Sequence, residues 1–375
     1  MCSDIITVFA SELRGELELP CSKSHALRWL ILAATDPTPT RIIMSEIGED
    51  VASMIGCLEK LGIRYESETV YGGEFVKPST VLDVGNSATT LRFLIAQCAT
   101  CDFKVHLDGD DSLRLRSSRG LCKSLSLEGE NAPLSSGSIA IGQDVEIDVS
   151  ESSQFLSALL LATPRMDGPR RICTIGHAVS RRHSELTWRL CQETGAEHLG
   201  QPWSVNCPDE VFIPADASMM AFALLAGIEV SNPPSHGDSL GHEVLFQSAD
   251  VYDLRDANDL VSPLAAHLCL TSGGVIKGAA HASLKESNRL SRTVELLHSF
   301  GLEVKQSADG FTIRGNQKVI RPSQVIKTHG DHRLQMTALI LGLQVGAQIE
   351  GAELHRIAWP SFIEQLSALG AKIQP

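Results

Sequence analysis

Seven short stretches of this chain carry the residue types that bind anions and move protons. The first is Pro20-Cys21-Ser22-Lys23-Ser24-His25-Ala26-Leu27-Arg28, which runs directly into the apolar segment Trp29 to Ala34. A Ser before small and apolar residues at helical spacing predicts a capped helix start, with Lys23 and Arg28 flanking its N-terminus. Such an end carries roughly half a positive charge and unpaired N–H groups, so two added cations make it a site for phosphate or carboxylate. Gly85-Asn86-Ser87-Ala88-Thr89-Thr90-Leu91-Arg92 offers small and hydroxyl residues that let backbone approach a ligand. Asp110 to Arg119 is a loop with Arg114, Arg116 and Arg119, suited to bidentate grip on carboxylate or phosphate. Ser152-Ser153-Gln154-Phe155, with Ser180, Arg181 and Arg182 downstream, resembles a phosphate pocket. Asn258-Asp259 places a carboxylate at a helix start, where N-capping alone would account for it. Lys285 and Arg289 stand at i, i+4 with Glu286 beside them, predicting one helix face. Thr328-His329-Gly330-Asp331-His332-Arg333 is a further glycine-containing turn before an apolar helix. Solvated helix starts and charge runs are the alternative, but residues of that kind would be spread along solvent faces. Here they gather at the starts of segments whose bodies are nearly uncharged.

The elements that must hold these residues recur. Six segments begin with a polar or capping residue and continue as a small, apolar helix: 22–34, 85–101, 152–163, 216–227, 258–271 and 330–342. Their starts lie 63, 67, 64, 42 and 72 residues apart. Most are followed by an amphipathic helix that ends at a glycine and resumes as a strand, at Gly62, Gly195, Gly301 and Gly370. The pattern is weaker at Leu121 to Gly129 and weaker again around Gly241 to Gln247. Six such units predict two α/β domains of three units each. The pattern shifts around Pro214, and residues 1 to 19 contain strand-like Ile5 to Phe9 and Gly15 to Leu19, so the first part of the chain is expected to complete a later unit. If the helix starts meet in a shared cleft, they hold several cations for polyanionic ligands and a few carboxylates for proton transfer.

Composition narrows the class. With 375 residues, 43% hydrophobic and 21% charged, the chain has ample material for two cores and little tendency to disorder. No stretch approaches the roughly 20 apolar residues that span a bilayer, and the N-terminus has no basic region followed by an apolar one, so a cytoplasmic protein is expected. The ten cysteines are scattered through apolar segments, predicting reduced thiols. Cys98-Ala-Thr-Cys101 lacks a second ligand pair at zinc spacing and is read as core thiols. A net charge of −13 argues against nucleic acid as partner but leaves small anionic substrates open. There is no Gly-Lys dipeptide, which excludes a Walker P-loop, and no GxGxxG follows a strand.

Taken together, Ser22-Lys23-Ser24 with Arg28, Gly85-Asn86 with Thr89 and Arg92, Ser152-Ser153-Gln154-Phe155-Leu156, Asp216-Ala217-Ser218, Lys285-Glu286-Ser287 with Arg289, and Gly330-Asp331-His332-Arg333 resemble the 5-enolpyruvylshikimate-3-phosphate synthase family, in order and over essentially the whole chain. The resemblance implies the enolpyruvyl transferase fold, an inverse α/β barrel. It comprises two domains, each of three βαβαββ-like repeats around buried helices, with 21–213 as the N-terminal domain, 1–20 plus 214–375 as the C-terminal one, and the active site in the cleft between them. It implies transfer of the enolpyruvyl group of phosphoenolpyruvate to the 5-hydroxyl of shikimate 3-phosphate, with release of phosphate and no metal or organic cofactor. A monomer acting on small anions, with neither nucleic acid nor membrane as partner, is expected. Carried over by position, Ser24 and Arg28 match the shikimate carboxylate ligands, and Ser152, Ser153, Ser180 and Lys285 the 3-phosphate ligands. Lys23, Asn86, Arg116, Gln154, Arg289 and Arg333 match the phosphoenolpyruvate side. Lys23, Asp259 and Glu286 match the catalytic groups, Asp259 taking the 5-hydroxyl proton and Glu286 lying near the carbon to be protonated.

The chain departs from the family pattern at several positions. Ile357 stands where a Lys usually precedes the final aromatic-Pro motif, so a cation on the phosphoenolpyruvate side is missing unless Arg356 reaches in. His281 replaces a ring-hydroxyl Asn, His183 a Tyr, and Ser117 a Pro. Ala88 replaces a common Gly, whose added methyl is expected to narrow the phosphoenolpyruvate pocket and weaken glyphosate-type inhibition. The chain is also some tens of residues short, as though loops in several units were trimmed. Two other outcomes therefore stay open: a same-fold enzyme that eliminates phosphate from a related phosphorylated cyclic acid without phosphoenolpyruvate, and a non-catalytic anion-binding homologue. The related UDP-sugar enolpyruvyl transferases fit less well, because their first motif pairs Lys with Asn and the Arg114 to Gly120 loop has no cysteine.

Overall fold

A computed structural model describes residues 4–137, 141–247 and 249–374. The chain forms two compact units, residues 21–214 (the N-terminal unit) and residues 1–20 with 215–375 (the C-terminal unit).

Each unit is built on three small sheets and three buried helices. In the N-terminal unit these helices are Lys23–Thr35, Ala88–Ala99 and Ser153–Ala162, and in the C-terminal unit Met220–Ala226, Val261–Leu270 and His332–Val345. They are apolar nearly all round, as with Leu159-Leu160-Leu161, and so have no face to give to water. The amphipathic helices Glu49–Lys60, Arg181–Glu193, Arg289–Ser299 and Phe362–Ala368 lie at the surface and bury only one stripe. The two weak places in the repeat are real: Arg119–Ser124 is a short helix, and the fourth unit has only the 3-10 turns His236–Asp238 and His242–Phe246 where an amphipathic helix would stand.

The sheets share one device. Among the described residues five parallel strand pairs and one parallel bridge are spread over the two units, and parallel strands end together at one edge. In the N-terminal unit Leu82–Asp83 runs beside Val105–Asp108, Asp144–Asp148 beside Arg171–Ile175, and Thr40–Ile43 beside Glu210–Phe212. In the C-terminal unit Glu16–Leu17 runs beside Glu229–Val230, Val251–Asp253 beside Gly273–Lys277, and Ile326 forms a parallel bridge to Ile349. Antiparallel partners such as Thr69–Tyr71, Leu134–Ser136 and Phe311–Arg314 widen the sheets on the far side. Ile5–Phe9, at the start of the chain, is the middle strand between Ala347–Glu350 and Lys372–Gln374 of the C-terminal unit. The C-terminal ends of the parallel pairs feed the polar helix starts, so strand pairing decides which candidate residues become neighbours.

Candidate active site

In the N-terminal unit, Lys23 is the first residue of its helix, and its Nζ lies 2.8 Å from Asp50 Oδ2. Asp50 belongs to the first turn of Glu49–Lys60 and is buried, so the ammonium is held by a carboxylate to which the sequence gives no role. Arg28 lies elsewhere than expected. Five residues into a helix with ten buried positions, it turns inward and is 1% exposed instead of flanking the helix end. Its Nε donates to Thr187 Oγ1 at 2.7 Å, Nη1 to the Ser24 carbonyl at 2.6 Å, and Nη2 to His183 O and Ser157 Oγ. All these acceptors are uncharged, and burial pulls the guanidinium down to about 9. One Nη1 hydrogen is left for a carboxylate, so any grip on substrate would be single, not bidentate.

The parallel pair ending at Asp83 and Asp108 delivers Asn86 and the arginine loop to one place. Asn86 Nδ2 donates to Asp110 Oδ2 at 2.6 Å, and Arg116 Nη2 donates to Asn86 Oδ1. The neighbouring pair does the same for the serines. Ser152 caps the helix Ser153–Ala162, its Oγ accepting from the Gln154 N–H at 3.2 Å, and Ser153 is buried behind it. Ser180 is the left-handed residue (φ 49) before Arg181–Glu193, and Val179 N–H reaches back to Val149 O at 3.2 Å, tying the two serine-bearing turns together. The Gln154 amide is fixed from both ends, its Oε1 receiving Arg92 Nη1 and its Nε2 donating to Thr89 Oγ1 at 2.8 Å. Arg92 thus orients the Gln154 amide. It also donates to the Ser117 backbone carbonyl at 2.7 Å.

The C-terminal unit gathers its candidates around one guanidinium. Arg289 is 0% exposed and meets three carboxylates: Asp331 Oδ2 from Nε at 3.0 Å, Asp259 Oδ1 from Nη1 at 2.9 Å, and Glu286 Oε2 from Nη2. Burial alone would lower the Arg289 guanidinium, but Asp331, Glu286 and Asp259 hold it well above the usual arginine range. Arg333 donates to the Asp259 carbonyl at 3.2 Å and to Ser218 Oγ at 2.8 Å, with its Nε 3.4 Å from Asp259 Oδ1. Burial would raise the Asp259 carboxyl, yet Arg333, Lys285 and Arg289 together hold it well below the carboxylate range. Asp259 sits inside the 3-10 turn Asn258–Leu260 and no cap bond of its carboxylate is present among the described residues, so capping does not account for it. Lys285 and Glu286 are not on a helix with Arg289. The helix starts at Arg289, because Asn288 Oδ1 caps it at Ser291 N–H, and the pair lies in the turn before. Asp331, unassigned from sequence, is the buried hub: it also caps His332–Val345 by accepting the Arg333 N–H and receives Ser287 Oγ at 3.0 Å.

Ile357 is 5% exposed, and Arg356 does not take its place: its Nη1 lies 3.3 Å from Glu353 on the surface, both side chains more than half exposed. His281, buried beside the Asp259 turn, is pushed down to about 4 by burial and by Lys285, against Asp259 and Asp256. The nine described cysteines form no disulfide; burial pushes the half-buried Cys101 thiol up to about 11 and raises the buried Cys98 well above the usual thiol range, as for inert thiols.

The fold and these two clusters define a class: a two-unit α/β protein with buried cations and carboxylates assembled at the ends of parallel strands. The profile of EPSP synthase (3-phosphoshikimate 1-carboxyvinyltransferase) matches residues 9–230 and 225–366, and the chain belongs to that family. It is 31% identical to the 3-phosphoshikimate 1-carboxyvinyltransferase of Methanothrix thermoacetophila, over 99% of each chain, and 29% identical to that of Methanosarcina acetivorans, over 98% of each. The structure of EPSP synthase from Acinetobacter baumannii matches with a TM-score of 0.75 over 99% of this chain and 100% of that one, at 20% identity. This likeness bears out the expected two-domain α/β fold. Among the described residues no helix is long and apolar enough to cross a membrane.

Proposed function

We propose that the protein transfers the enolpyruvyl group of phosphoenolpyruvate to the 5-hydroxyl of shikimate 3-phosphate, releasing phosphate. The observation that carries this reading is the cluster on Arg289. Asp259 and Glu286, the two carboxylates proposed for proton transfer, are both bound to a guanidinium proposed to hold phosphoenolpyruvate. The acids and the anion site are thus one assembly, as addition followed by elimination requires. In the addition, the acceptor oxygen bonds to C2 of the enol while C3 gains a proton; in the elimination, C3 loses a proton and the C2–O bond to phosphate breaks. Asp259 accepts the hydroxyl proton, and Glu286 with Lys23 serves C3. Ser152, Ser153, Ser180 and Lys285 hold the 3-phosphate and Ser24 with Arg28 the ring carboxylate. Lys23, Asn86, Arg116, Gln154, Arg289 and Arg333 hold phosphoenolpyruvate. Nine free cysteines support work in a reducing compartment, the cytoplasm.

The test is phosphate release from the purified protein given shikimate 3-phosphate, with and without phosphoenolpyruvate. Release that needs both ligands and disappears in Lys23→Met is expected. The buried Ile357, with Arg356 turned to Glu353, favours a second reading in which phosphoenolpyruvate is not used. Release from shikimate 3-phosphate alone would establish that one instead.

A further inference from the structure

Asp110 follows the strand Val105–Asp108, and no step above uses it. The parallel strands ending at Asp83 and Asp108 leave two turns side by side, Gly85-Asn86 and Gly109-Asp110. These turns are pressed together. A side chain on Gly109 would set its Cβ against the Gly85 carbonyl oxygen, inside contact distance, so only glycine fits there. The Asp110 N–H donates to that same oxygen at 3.0 Å. Its carboxylate serves two further donors. Oδ1 accepts the Leu113 N–H at 2.7 Å, at the start of the 3-10 turn Leu113–Leu115, and Oδ2 accepts Asn86 Nδ2 at 2.6 Å. Asp110 forms no ion pair among the described residues, although the loop is rich in arginine. Arg114 goes instead to Asp108 and Asp111, at 2.8 and 2.9 Å.

The choice of a neutral partner has a consequence for Arg116. A carboxylate only accepts hydrogen bonds and a guanidinium only donates them. Asn86 stands between one of each: its Nδ2 faces Asp110, so its Oδ1 is left to receive Arg116 Nη2. Both neighbours thus favour one orientation of an amide whose two ends a half-turn would exchange. Arg116 Nη2 also donates to Ser112 Oγ at 3.2 Å, so both hydrogens of that nitrogen are held, and the side chain is 7% exposed.

We propose that Asp110 is a positioning residue for phosphoenolpyruvate, fixing the Asn86 amide and through it the Arg116 guanidinium. The inference rests on the proposed enolpyruvyl transfer, in which Asn86 and Arg116 hold that ligand. A guanidinium set in place beforehand loses less freedom when the anion arrives, so the effect falls on binding and not on the chemical steps.

Two variants test this. Asp110→Ser keeps an oxygen for the Leu113 N–H but is too short to reach Asn86. Asp110→Asn keeps the length and offers one oxygen to two donors. In phosphate release, Asp110→Ser is expected to raise KM for phosphoenolpyruvate about 10-fold, near the lower end for a hydrogen bond to a charged group, and Asp110→Asn to raise it less. KM for shikimate 3-phosphate and kcat should stay within about twofold, the split that marks lost binding of one ligand. In Arg116→Lys, adding Asp110→Ser should change KM for phosphoenolpyruvate less than about twofold, because Asp110 acts through Arg116. Side-chain amide NMR of the full-length protein without substrates, with Asn86 assigned from Asn86→Ser, is expected to show its Nδ2 protons shifted in Asp110→Ser. A general loosening of the loop would instead raise both KM values together and multiply the effect of Arg116→Lys. That pattern, an unchanged KM for phosphoenolpyruvate, or Asn86 signals that stay in place overturns the proposal alone. No phosphate release from the unaltered protein given both ligands overturns the transfer reading and this proposal with it.

Discussion

Arg289 shows what one residue can decide. It joins Asp259, Glu286 and Asp331 in the C-terminal unit, and its removal would leave three carboxylates without their common partner. Breaking a buried ion pair from one side costs about 3–5 kcal/mol, so Arg289→Gln is expected to lower the urea midpoint sharply as well as abolish turnover. A variant unfolding at the unaltered midpoint would show the cluster to be loosely held. Buried histidines add a pH dependence of the opposite origin. His281 and His355 are each pushed down to about 4, first by burial. At pH 7 both are neutral, folded or unfolded. As pH falls through 6.5 the unfolded chain binds protons that the folded chain refuses until about 4, so stability drops across that window by about 3 kcal/mol per histidine. Asp259, held below 3.8, loses its own stabilisation only under more acid conditions. Urea midpoints between pH 7 and 4.5 are expected to fall, and less steeply in His355→Asn; parallel curves would contradict this. Residue types were legible in the sequence, but partners were not. The spacing predicts Arg28 beside a helix N-terminus and gives Asp50 and Asp331 no role, because only the packed neighbours reveal that the two acids hold cations and that Arg28 points inward.

At the scale of elements the sequence was more open. A polar start, an apolar helix body and a following amphipathic helix with a glycine stop recur in most units, because each follows from local physics: capping, burial on every side, and a left-handed turn such as Gly301 (φ 74). What could not be read was the parallel pairing, since strands of two to five residues have no periodicity to declare a partner. That pairing sets which helix starts adjoin, as when Asp144–Asp148 and Arg171–Ile175 bring the Ser152 and Ser180 turns together. The expected face shared by Lys285 and Arg289 failed for a similar reason: Ser287 and Asn288 cap better than they propagate a helix. The caps themselves can be tested. Ser87 is fully buried and its Oγ accepts the Thr90 N–H at 3.2 Å at the start of Ala88–Ala99. Ser87→Ala is expected to cost about 1 kcal/mol by thermal or urea unfolding, the usual worth of an N-cap. An unchanged midpoint would mean that packing alone holds this helix start.

For the whole molecule, the chain passes between units at Pro20–Cys21 and again at Pro214–Ala215, and the proposed ligand sets divide unequally across them. Of the residues assigned to shikimate 3-phosphate, Ser24, Arg28, Ser152, Ser153 and Ser180 lie in the N-terminal unit and only Lys285 in the other. The phosphoenolpyruvate set is shared, with Lys23, Asn86, Arg116 and Gln154 in one unit and Arg289 and Arg333 in the other. Arg333→Ala should therefore separate binding from chemistry. It removes a cation that holds Ser218 and the Asp259 turn, all within the C-terminal unit. Phosphate release is expected to fall at least about 100-fold, as when one preorganised donor to a developing charge is lost. Calorimetric affinity for shikimate 3-phosphate alone should stay nearly unchanged, whereas Ser153→Ala should weaken it by roughly 1 kcal/mol, the net worth of one hydrogen bond. The two variants then form a crossed pair, each damaging what the other spares. If Arg333→Ala abolished shikimate 3-phosphate binding, the ligand sets would not divide by unit as assigned, and the first substrate would need both units before it could bind at all.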